Sequence, residues 1–304
     1  MTPQHRGRIA RRLRTLPVHT RSQRPALLLG CGLLAGVLLL SGCHNPEVPA
    51  AKATSIAQVD GAINPAQVSA LSADFDALRS GLDGEVSIAI APVGHGGEVL
   101  SFGDDIEDVA WSTMKVPLSI AALRENGDSV LDLVESAIVY SDNDATWTLW
   151  TLLGDDMDTW IDKFDQALRD GGDEVTVFET DRLHSGGPSY GESLWDDADQ
   201  VRFAAGLPCL ADAGPVLEFM GQIDEEQRWG LGTIEGARFK GGWGPGEPDF
   251  LTRQFGIIDT PNGQTAVAIT AVATSGSLED GNAMLDEIAK WIVAHLEQLP
   301  AGTC

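Results

Sequence analysis

The order of hydrophobic patterns along the chain is the feature that most limits its fold. Two strand-like segments, "GEVSIAIAPV" and "GEVLSFG", surround the turn "GHGG" and predict a hairpin. Helical periodicity dominates from Ser112 to about Met220, and three strand patterns follow, "ARFKGGW", "LTRQFGII" and "GQTAVAITAVAT". Amphipathic helices are predicted at both ends of this region, from Asn64 and from about Asp280. The order predicts an α+β fold, in which a five-stranded antiparallel sheet is flanked by N- and C-terminal helices and carries an all-helical insertion of about residues 112–222.

The first 42 residues differ in composition from the rest and predict a signal peptide over residues 1–42. They contain seven arginines and no acidic residue, and then the apolar run "ALLLGCGLLAGVLLL", which is short for a membrane span. The run ends in "LSGC", which resembles the lipobox of bacterial lipoproteins. The resemblance implies cleavage before Cys43, a lipid on its sulfur, and attachment to the outer face of a bacterial membrane. An ordinary secretory signal with an incidental cysteine and a short membrane anchor are the alternatives.

Residues 43–63, rich in Ala, Pro and small polar residues, predict a flexible tether before a domain of residues 64–304.

The charge of the chain argues against one class of partner. The formal net charge is −25 at pH 7, and removal of seven arginines with the leader would make the mature chain more acidic still. Affinity for nucleic acid depends mainly on Lys and Arg side chains that neutralise phosphates. No nucleic acid is therefore expected as a partner.

Two cysteines remain when Cys31 is assigned to the leader and Cys43 to the lipid. In an oxidising compartment, Cys209 and Cys304 are expected to form one disulfide that ties the C-terminus to the body of the domain. Two unrelated thiols are the alternative.

A serine and a lysine stand three residues apart at the start of the helical region. The segment "WSTMKVPLSIAAL" begins at Trp111 and places Ser112 and Lys115 on one face of a predicted helix. A serine hydroxyl is a poor nucleophile until a base removes its proton, and lysine is such a base when its amine is neutral. Burial and a second nearby cation both favour the neutral amine. A plain helix cap at Ser112 is the alternative.

Two more polar groups follow in the sequence. Ser141, Asp142 and Asn143 form "SDN" at a break between helical patterns, and Lys240 precedes two glycines in the strand pattern "RFKGGWG". Taken singly, these are a polar turn and a solvated strand lysine. Taken in order, "S-x-x-K", "S-D-N" and "K-small-G" resemble the class A β-lactamases and related penicillin-binding serine hydrolases, over about residues 65 to 298.

The resemblance implies a role for each matching residue. Ser112 would be the acylated nucleophile, Lys115 its base or proton partner, and Ser141 the group that relays a proton to the departing amide nitrogen. The residues implied to bind substrate are Asn143 at a side-chain amide, Lys240 at a carboxylate, Gly242 beside the strand, and Trp243, whose backbone N–H would form an oxyanion hole with that of Ser112.

Several features depart from the family's pattern. Gly241 stands where a Thr or Ser hydroxyl usually helps to bind the carboxylate, and the glutamate loop "E-x-x-L-N" is missing. Glu174, Glu179 and Glu192 are the glutamates in the corresponding stretch, and none has the expected followers. Deacylation is therefore expected to be slow or absent. Arg253, on the next predicted strand, is a candidate for the missing carboxylate contact, with an exposed position as the alternative.

Together these features predict a membrane-tethered serine acyl hydrolase that is acylated at Ser112 by a β-lactam or a related amide. One alternative is a catalytically inert lipoprotein of the same fold that serves as a binding or interaction module. Another is a D,D-peptidase-like amidase that acts on peptidoglycan-like peptides. No cofactor is expected, and the histidines lack the spacing of metal ligands.

Overall fold

The protein is described by a computed structural model that covers residues 64–179, 190–245 and 250–304. Its centre is a five-stranded sheet with the spatial order β2-β1-β5-β4-β3. The strands are β1 Gly84–Pro92, β2 Leu100–Gly103, β3 Arg238–Pro245, β4 Phe250–Thr260 and β5 Gly263–Ala273. Every neighbouring pair is antiparallel. The predicted α+β class and five-stranded antiparallel sheet are confirmed.

Helices flank the sheet in sequence and also fill the insertion. They are α1 Pro65–Arg79, α2 Lys115–Asn126, α3 Leu131–Val139, α4 Asn143–Thr151, α5 Met157–Gly171, α6 Asp197–Gly206, α7 Gly214–Met220 and α8 Leu278–Ala294. Asn64 caps α1 as its position before Pro65 predicts, because its side chain accepts a 2.8 Å hydrogen bond from Ala66 N. Between β2 and β3, the described residues form α-helices and short 3₁₀ turns and no named strand, as predicted for the insertion.

The centre of the sheet joins the two ends of the domain. β1 pairs with β5 along its whole length, from Gly84 opposite Ala273 to Pro92 opposite Thr265. β3 lies at one edge of the sheet with β4 as its strand neighbour. One row of backbone N–H and C=O groups along β3 therefore has no partner strand.

The side chains of β4 show which helices cover each face of the sheet. Thr252 Oγ1 is 3.0 Å from Asn282 Oδ1 in α8, whereas the ring of Phe255 lies edge-on to Phe203 in α6. Residues of opposite parity on a strand point to opposite faces. Thus α8 covers one face and α6, in the helical insertion, covers the other.

Helix α2 is the central helix of the insertion. Its residues from Lys115 to Leu123 are all buried, which is typical of a helix surrounded by protein. Pro117 is tolerated because it lies in the first turn, where the backbone N–H has no intrahelical partner. The first residue of this buried helix is Lys115, so its amine is held inside the protein.

The predicted disulfide between Cys209 and Cys304 is present. Cys209 follows α6, and the C-terminal segment is also held by Gly302, which exchanges two backbone hydrogen bonds with Gln264 at the start of β5. The disulfide closes a sequence separation of 95 residues, so it removes much conformational freedom from the unfolded chain.

Removing this disulfide is expected to destabilise the domain. A double variant, Cys209→Ser with Cys304→Ser, should lower the melting temperature by about 5 to 15 °C, because a loop of this length stabilises by roughly 2–4 kcal/mol. Differential scanning calorimetry with and without reductant measures the effect. The double variant should not respond to reductant, and a melting temperature equal to that of the oxidised wild type would contradict the expectation.

Two of the sequence predictions lie outside the described residues: the leader with its lipobox at Cys43, and the tether of residues 43–63. Among the residues that the structure describes, no single helix is long and apolar enough to cross a bilayer. One pair of helical segments, Asp197–Cys209 and Gly214–Met220, is long and apolar enough when the two are taken together, but a bend of 119° separates them.

Candidate active site

The Ser141 hydroxyl lies between two lysine amines. Lys115 Nζ, at the start of α2, is 3.2 Å from Ser141 Oγ, and Lys240 Nζ, on β3, is 3.0 Å from the same oxygen. These residues are separated by 26 and 99 positions in sequence. The fold therefore brings together one residue from each of the three motifs.

The turn that carries Ser141 is held by Asp142. The Asp142 carboxylate caps α4 by accepting hydrogen bonds of 2.8 and 2.9 Å from the N–H groups of Asp144 and Ala145. The backbone N–H of Asp142 also donates to Ser136 O at 3.1 Å. Ser141 itself has φ of 58°, a left-handed conformation that costs a non-glycine residue about 1–3 kcal/mol. The surrounding hydrogen bonds keep Ser141 in this conformation between the two amines.

The Lys115 amine has three acceptors around it. Besides Ser141 Oγ, its Nζ lies 2.5 Å from the backbone oxygen of Ser141 and 2.7 Å from Asn143 Oδ1. An ammonium group has three N–H donors. The serine and asparagine of the "SDN" segment therefore satisfy all the hydrogen-bonding capacity of a protonated Lys115.

Burial favours the neutral form of both amines. The Lys115 side chain is about 1% exposed, and burial lowers its pKa to about 7, with the Asp142 carboxylate acting in the opposite direction. Lys240 is fully buried, and its pKa lies well below the usual range because of burial and, secondarily, because of the charge of Lys115. A substantial fraction of Lys115 is therefore neutral near pH 7 and able to accept a proton.

Ser112 lies in a short 3₁₀ turn, Trp111–Met114, that packs against β3. A Cβ added to Gly242 would come within 2.8 Å of Ser112 N and within 2.8 Å of Ala110 O, which is closer than van der Waals contact allows. A side chain at this position would push the Ser112 turn away from β3. Gly242 is thus required for the close approach of Ser112 to the strand.

The Ser112 hydroxyl makes no hydrogen bond of its own with any residue that the structure describes. The pattern of a serine and a lysine three residues apart predicts that their heads are within hydrogen-bonding reach, and this contact is not made. The reason is that Lys115 Nζ is turned to Ser141 and Asn143, which take its three donors. Lys115 must release one of these acceptors before it can take a proton from Ser112.

Comparison with known proteins gives matches in structure but not in sequence. No protein-family model matches the chain, and no curated protein sequence matches it. The solved TLA-3 extended-spectrum β-lactamase is similar with a TM-score of 0.60 and 15% identity, over 75% of this chain and 99% of that one. A class A β-lactamase from Mycobacterium abscessus gives a TM-score of 0.58 and 14% identity, over 75% and 99%. A variant of the class A β-lactamase of the last common ancestor of Gram-negative bacteria gives 0.56 and 19%, over 76% and 100%.

The chain has a β-lactamase-like fold. The similarity extends over nearly the full length of each of these enzymes, so the sheet and the helical insertion are both included. A fold alone does not decide the chemistry, which depends on the residues at the site.

Within the β-lactamase-like fold, the structure corrects the expected position of Arg253. Its side chain is fully buried, and its guanidinium donates to the backbone oxygens of Asp108 and Val109 and to the Asp197 carboxylate. A group that is covered and already paired cannot contact a substrate carboxylate. Arg253 lies opposite Gly242 on β4, but the segment before Ser112 covers it.

Asn143 and Trp243 belong to different elements, helix α4 and strand β3. Asn143 is exposed at the start of α4, and its amide oxygen accepts from Lys115. Trp243 is half-buried on the edge strand β3, where its ring meets that of Trp229 at a centroid distance of 5.2 Å. Lys240 Nζ also donates to the backbone oxygen of the adjacent Gly241 at 2.9 Å.

The three glutamates of the divergent loop have different surroundings. Glu174 is exposed, and the N–H of Glu179 donates to Ser193 Oγ. Glu192 ends the 3₁₀ turn Tyr190–Glu192, in which a Cβ on Gly191 would be 3.1 Å from Trp111 O. Glu192 thus belongs to a turn that packs beside the backbone of the Ser112 segment. Residues 180–189 of this stretch lie outside the described residues.

Sequence reasoning missed the part that Trp111 plays. Trp111 has φ of 52°, and with Ser141 it is one of two non-glycine residues with positive φ among those described. A Cβ on Gly244 would come within 2.4 Å of the Trp111 indole, so the ring lies directly on β3. The two strained residues flank the site, as backbone strain often does where structure serves function. The available sequence signal was the pair of glycines two positions apart on β3, Gly242 and Gly244, which leaves space for the turn that packs on the strand.

Proposed function

We propose that the chain is a serine acyl hydrolase of the β-lactamase and penicillin-binding type, acylated at Ser112 by a β-lactam or a related amide. The observation that carries this proposal is the meeting of two buried amines at Ser141 Oγ, beside the turn that holds Ser112. A structural role would not require two lysines in one buried site, because burial of two amines without a carboxylate contact between them is costly.

The proposed acylation moves one proton through the site. Neutral Lys115 accepts the proton of Ser112 Oγ, and the oxygen forms a bond to the carbonyl carbon of the substrate. The tetrahedral intermediate then breaks its C–N bond. The nitrogen receives a proton from Ser141 Oγ, and Ser141 recovers one from the Lys115 ammonium at 3.2 Å. The product is an ester on Ser112, and hydrolysis of that ester by water would complete the cycle.

Lys240 and the edge of β3 form the proposed substrate-binding side. Binding of an anion would favour the protonated form of Lys240, which takes its proton from solvent and whose charge would then hold the substrate carboxylate. The row of β3 backbone groups without a partner strand would pair with an extended amide or peptide. Gly241 offers no hydroxyl to this carboxylate. Slow turnover is the companion proposal, since the family's loop pattern "E-x-x-L-N" is missing from the sequence.

A test of this proposal is the mass of the intact protein after incubation with benzylpenicillin. We expect an increase equal to the mass of one penicillin, which identifies opening of the ring without loss of atoms. Trypsin cleaves after Lys and Arg, so Ser112 and Ser141 fall on different peptides, separated by cleavage after Lys115 and Arg124. The adduct should map to the peptide that ends at Lys115, and no adduct after several hours would contradict the proposal.

A binding module that lacks catalysis is the second candidate. The observation that favours it is the full set of acceptors around Lys115, which leaves the Ser112 hydroxyl without a hydrogen bond to the amine. In that case a β-lactam or a peptidoglycan-like peptide would raise the melting temperature without a change in mass, and the response would not depend on Ser112.

The position of the protein in the cell is also a proposal. The lipobox resemblance at Cys43 supports an extracytoplasmic protein that is tethered to a bacterial membrane by a lipid and a segment of residues 43–63. The mass of the N-terminal peptide of the mature protein tests this directly, because a free Cys43 thiol would rule out the lipid.

A further inference from the structure

A buried arginine connects the sheet to the segment that leads into the Ser112 turn. Arg253 Nη1 donates to two backbone oxygens of that segment, Asp108 O and Val109 O, both at 3.0 Å. Its Nη2 donates to Asp197 Oδ1 at 2.7 Å. One planar guanidinium thus holds two successive carbonyl groups and a carboxylate at the same time.

The carboxylate that pairs with Arg253 is itself held by the centre of the sheet. Thr270 Oγ1 on β5 donates to Asp197 Oδ1 at 2.7 Å, and Ser87 Oγ on β1 donates to Asp197 Oδ2 at 2.5 Å. Asp197 is also the first residue of α6. The Asp197 carboxylate therefore has three contacts, and it stays held by Ser87 at Oδ2 and by Arg253 at Oδ1 when the Thr270 hydroxyl is removed.

The segment that Arg253 holds ends at the strained residue before the nucleophile. Asp108 O accepts a second hydrogen bond from Trp195 N at 3.2 Å, and Ala110 N donates to Ser193 O at 2.9 Å. Trp111, which follows, has φ of 52°. A residue in this conformation relaxes unless its neighbours are fixed on both sides. On the N-terminal side, the fixed points are Arg253 and the backbone of residues 193–195.

We propose that Arg253 is a positioning residue for the nucleophile, an inference that rests on the proposed acylation at Ser112. By fixing Asp108 O and Val109 O, it sets how closely the Ser112 turn lies against Gly242 and hence where the Ser112 hydroxyl and backbone N–H stand relative to β3. The approach is tight, because Ser112 N lies 2.8 Å from the place that a Gly242 Cβ would occupy. A shift of about 1 Å in such a group slows chemistry by roughly 100-fold.

The test compares Arg253→Lys with a matched control, Thr270→Val. Lysine keeps the positive charge but cannot bond two carbonyls and a carboxylate in one plane. Thr270→Val removes one 2.7 Å hydrogen bond to the same Asp197 oxygen and leaves the hydrogen bonds to residues 108–109 in place. The limiting rate of acylation and the half-saturating concentration are measured with benzylpenicillin at several concentrations. We expect Arg253→Lys to lower the limiting rate roughly 100-fold with the half-saturating concentration within about threefold of wild type, and Thr270→Val to keep the wild-type limiting rate.

A third variant guards against simple unfolding. The double variant Arg253→Met with Asp197→Asn removes both charges, so no unpaired charge is left inside the protein. Its limiting rate of acylation should also be lower than that of wild type, while its circular dichroism spectrum should show that it is folded. Hydrogen–deuterium exchange supplies a readout that needs no activity: peptides over residues 108–114 should exchange faster in both arginine variants and at the wild-type rate in Thr270→Val.

The outcomes separate the two proposals. If wild type is never acylated but exchange over residues 108–114 rises only in the arginine variants, the proposed function fails and the positioning of this segment by Arg253 stands. If wild type is acylated and Arg253→Lys matches its limiting rate, the positioning role is refuted. It is equally refuted if Thr270→Val slows acylation as much as Arg253→Lys does, because the effect would then follow loss of the buried network in general.

Discussion

Replacement of Ser112 by alanine is expected to abolish the covalent penicillin adduct. Only an oxygen at this position can form the ester, and loss of the nucleophile in enzymes that form acyl intermediates lowers the rate by roughly a million-fold. The variant should fold normally, since Ser112 Oγ makes no hydrogen bond with a described residue that its removal would break. Intact-mass measurement before and after incubation with benzylpenicillin gives the result directly.

The control for this variant is Ser129→Ala, which removes an exposed hydroxyl bonded to Asn126 O on the same part of the insertion. It should form the adduct at the wild-type rate. An adduct that persists in Ser112→Ala and maps to the tryptic peptide of Ser141 would instead identify the hydroxyl between the two amines as the nucleophile. A thermal shift with penicillin that survives in Ser112→Ala without any adduct would favour the binding module.

Replacement of Lys115 by methionine is expected to slow acylation about 10²- to 10⁴-fold, the usual contribution of a general base. The comparison variant is Lys115→Arg, which keeps a positive charge but does not lose its proton at any pH used. Both variants should be slow if Lys115 accepts the Ser112 proton. An arginine variant with near wild-type rate would mean that the charge of Lys115 matters and its basicity does not.

The dependence of acylation on pH has a definite sign. Because the active form of Lys115 is the neutral amine and burial lowers its pKa to about 7, the wild-type rate should rise with pH and level off above about 7. A rate that falls as the pH increases through this range would contradict the role of Lys115 as a base. Measurements of the limiting acylation rate from pH 5 to 9 give the profile.

The same shift predicts how stability changes with pH. The pKa of Lys115 is about 7 in the folded protein and 10.5 as its ordinary value, so the unfolded chain binds more protons between these pH values. The contribution of Lys115 to the free energy of unfolding therefore rises with pH from about 7 to 10.5 and is unfavourable below about 7. Lys115→Met should remove this dependence and should be at least as stable as wild type at pH 7. Urea denaturation of both proteins at pH 7 and pH 9 measures the difference.

The sequence by itself determined the fold class and the identity of the motifs. The periodicity of apolar residues in segments such as Gly84–Pro92 and Gly263–Ala273 is a local property, because side chains alternate along any strand whatever its neighbours are. The cap at Asn64 followed from residue type, and the disulfide between Cys209 and Cys304 was predicted from the number of cysteines left after the leader and the lipid site were set aside. The order of the motifs that contain Ser112, Ser141 and Lys240 was also readable without coordinates.

Only the tertiary structure decided what those residues touch. Arg253 reads as a strand cation in sequence, but the segment at Asp108 and Val109 covers it and Asp197 neutralises it. Lys115 turns to Ser141 and not to Ser112, although Ser112 is closer in sequence. The physical reason is that burial, charge pairing and backbone strain depend on contacts between distant segments, whose free energies local periodicity does not contain.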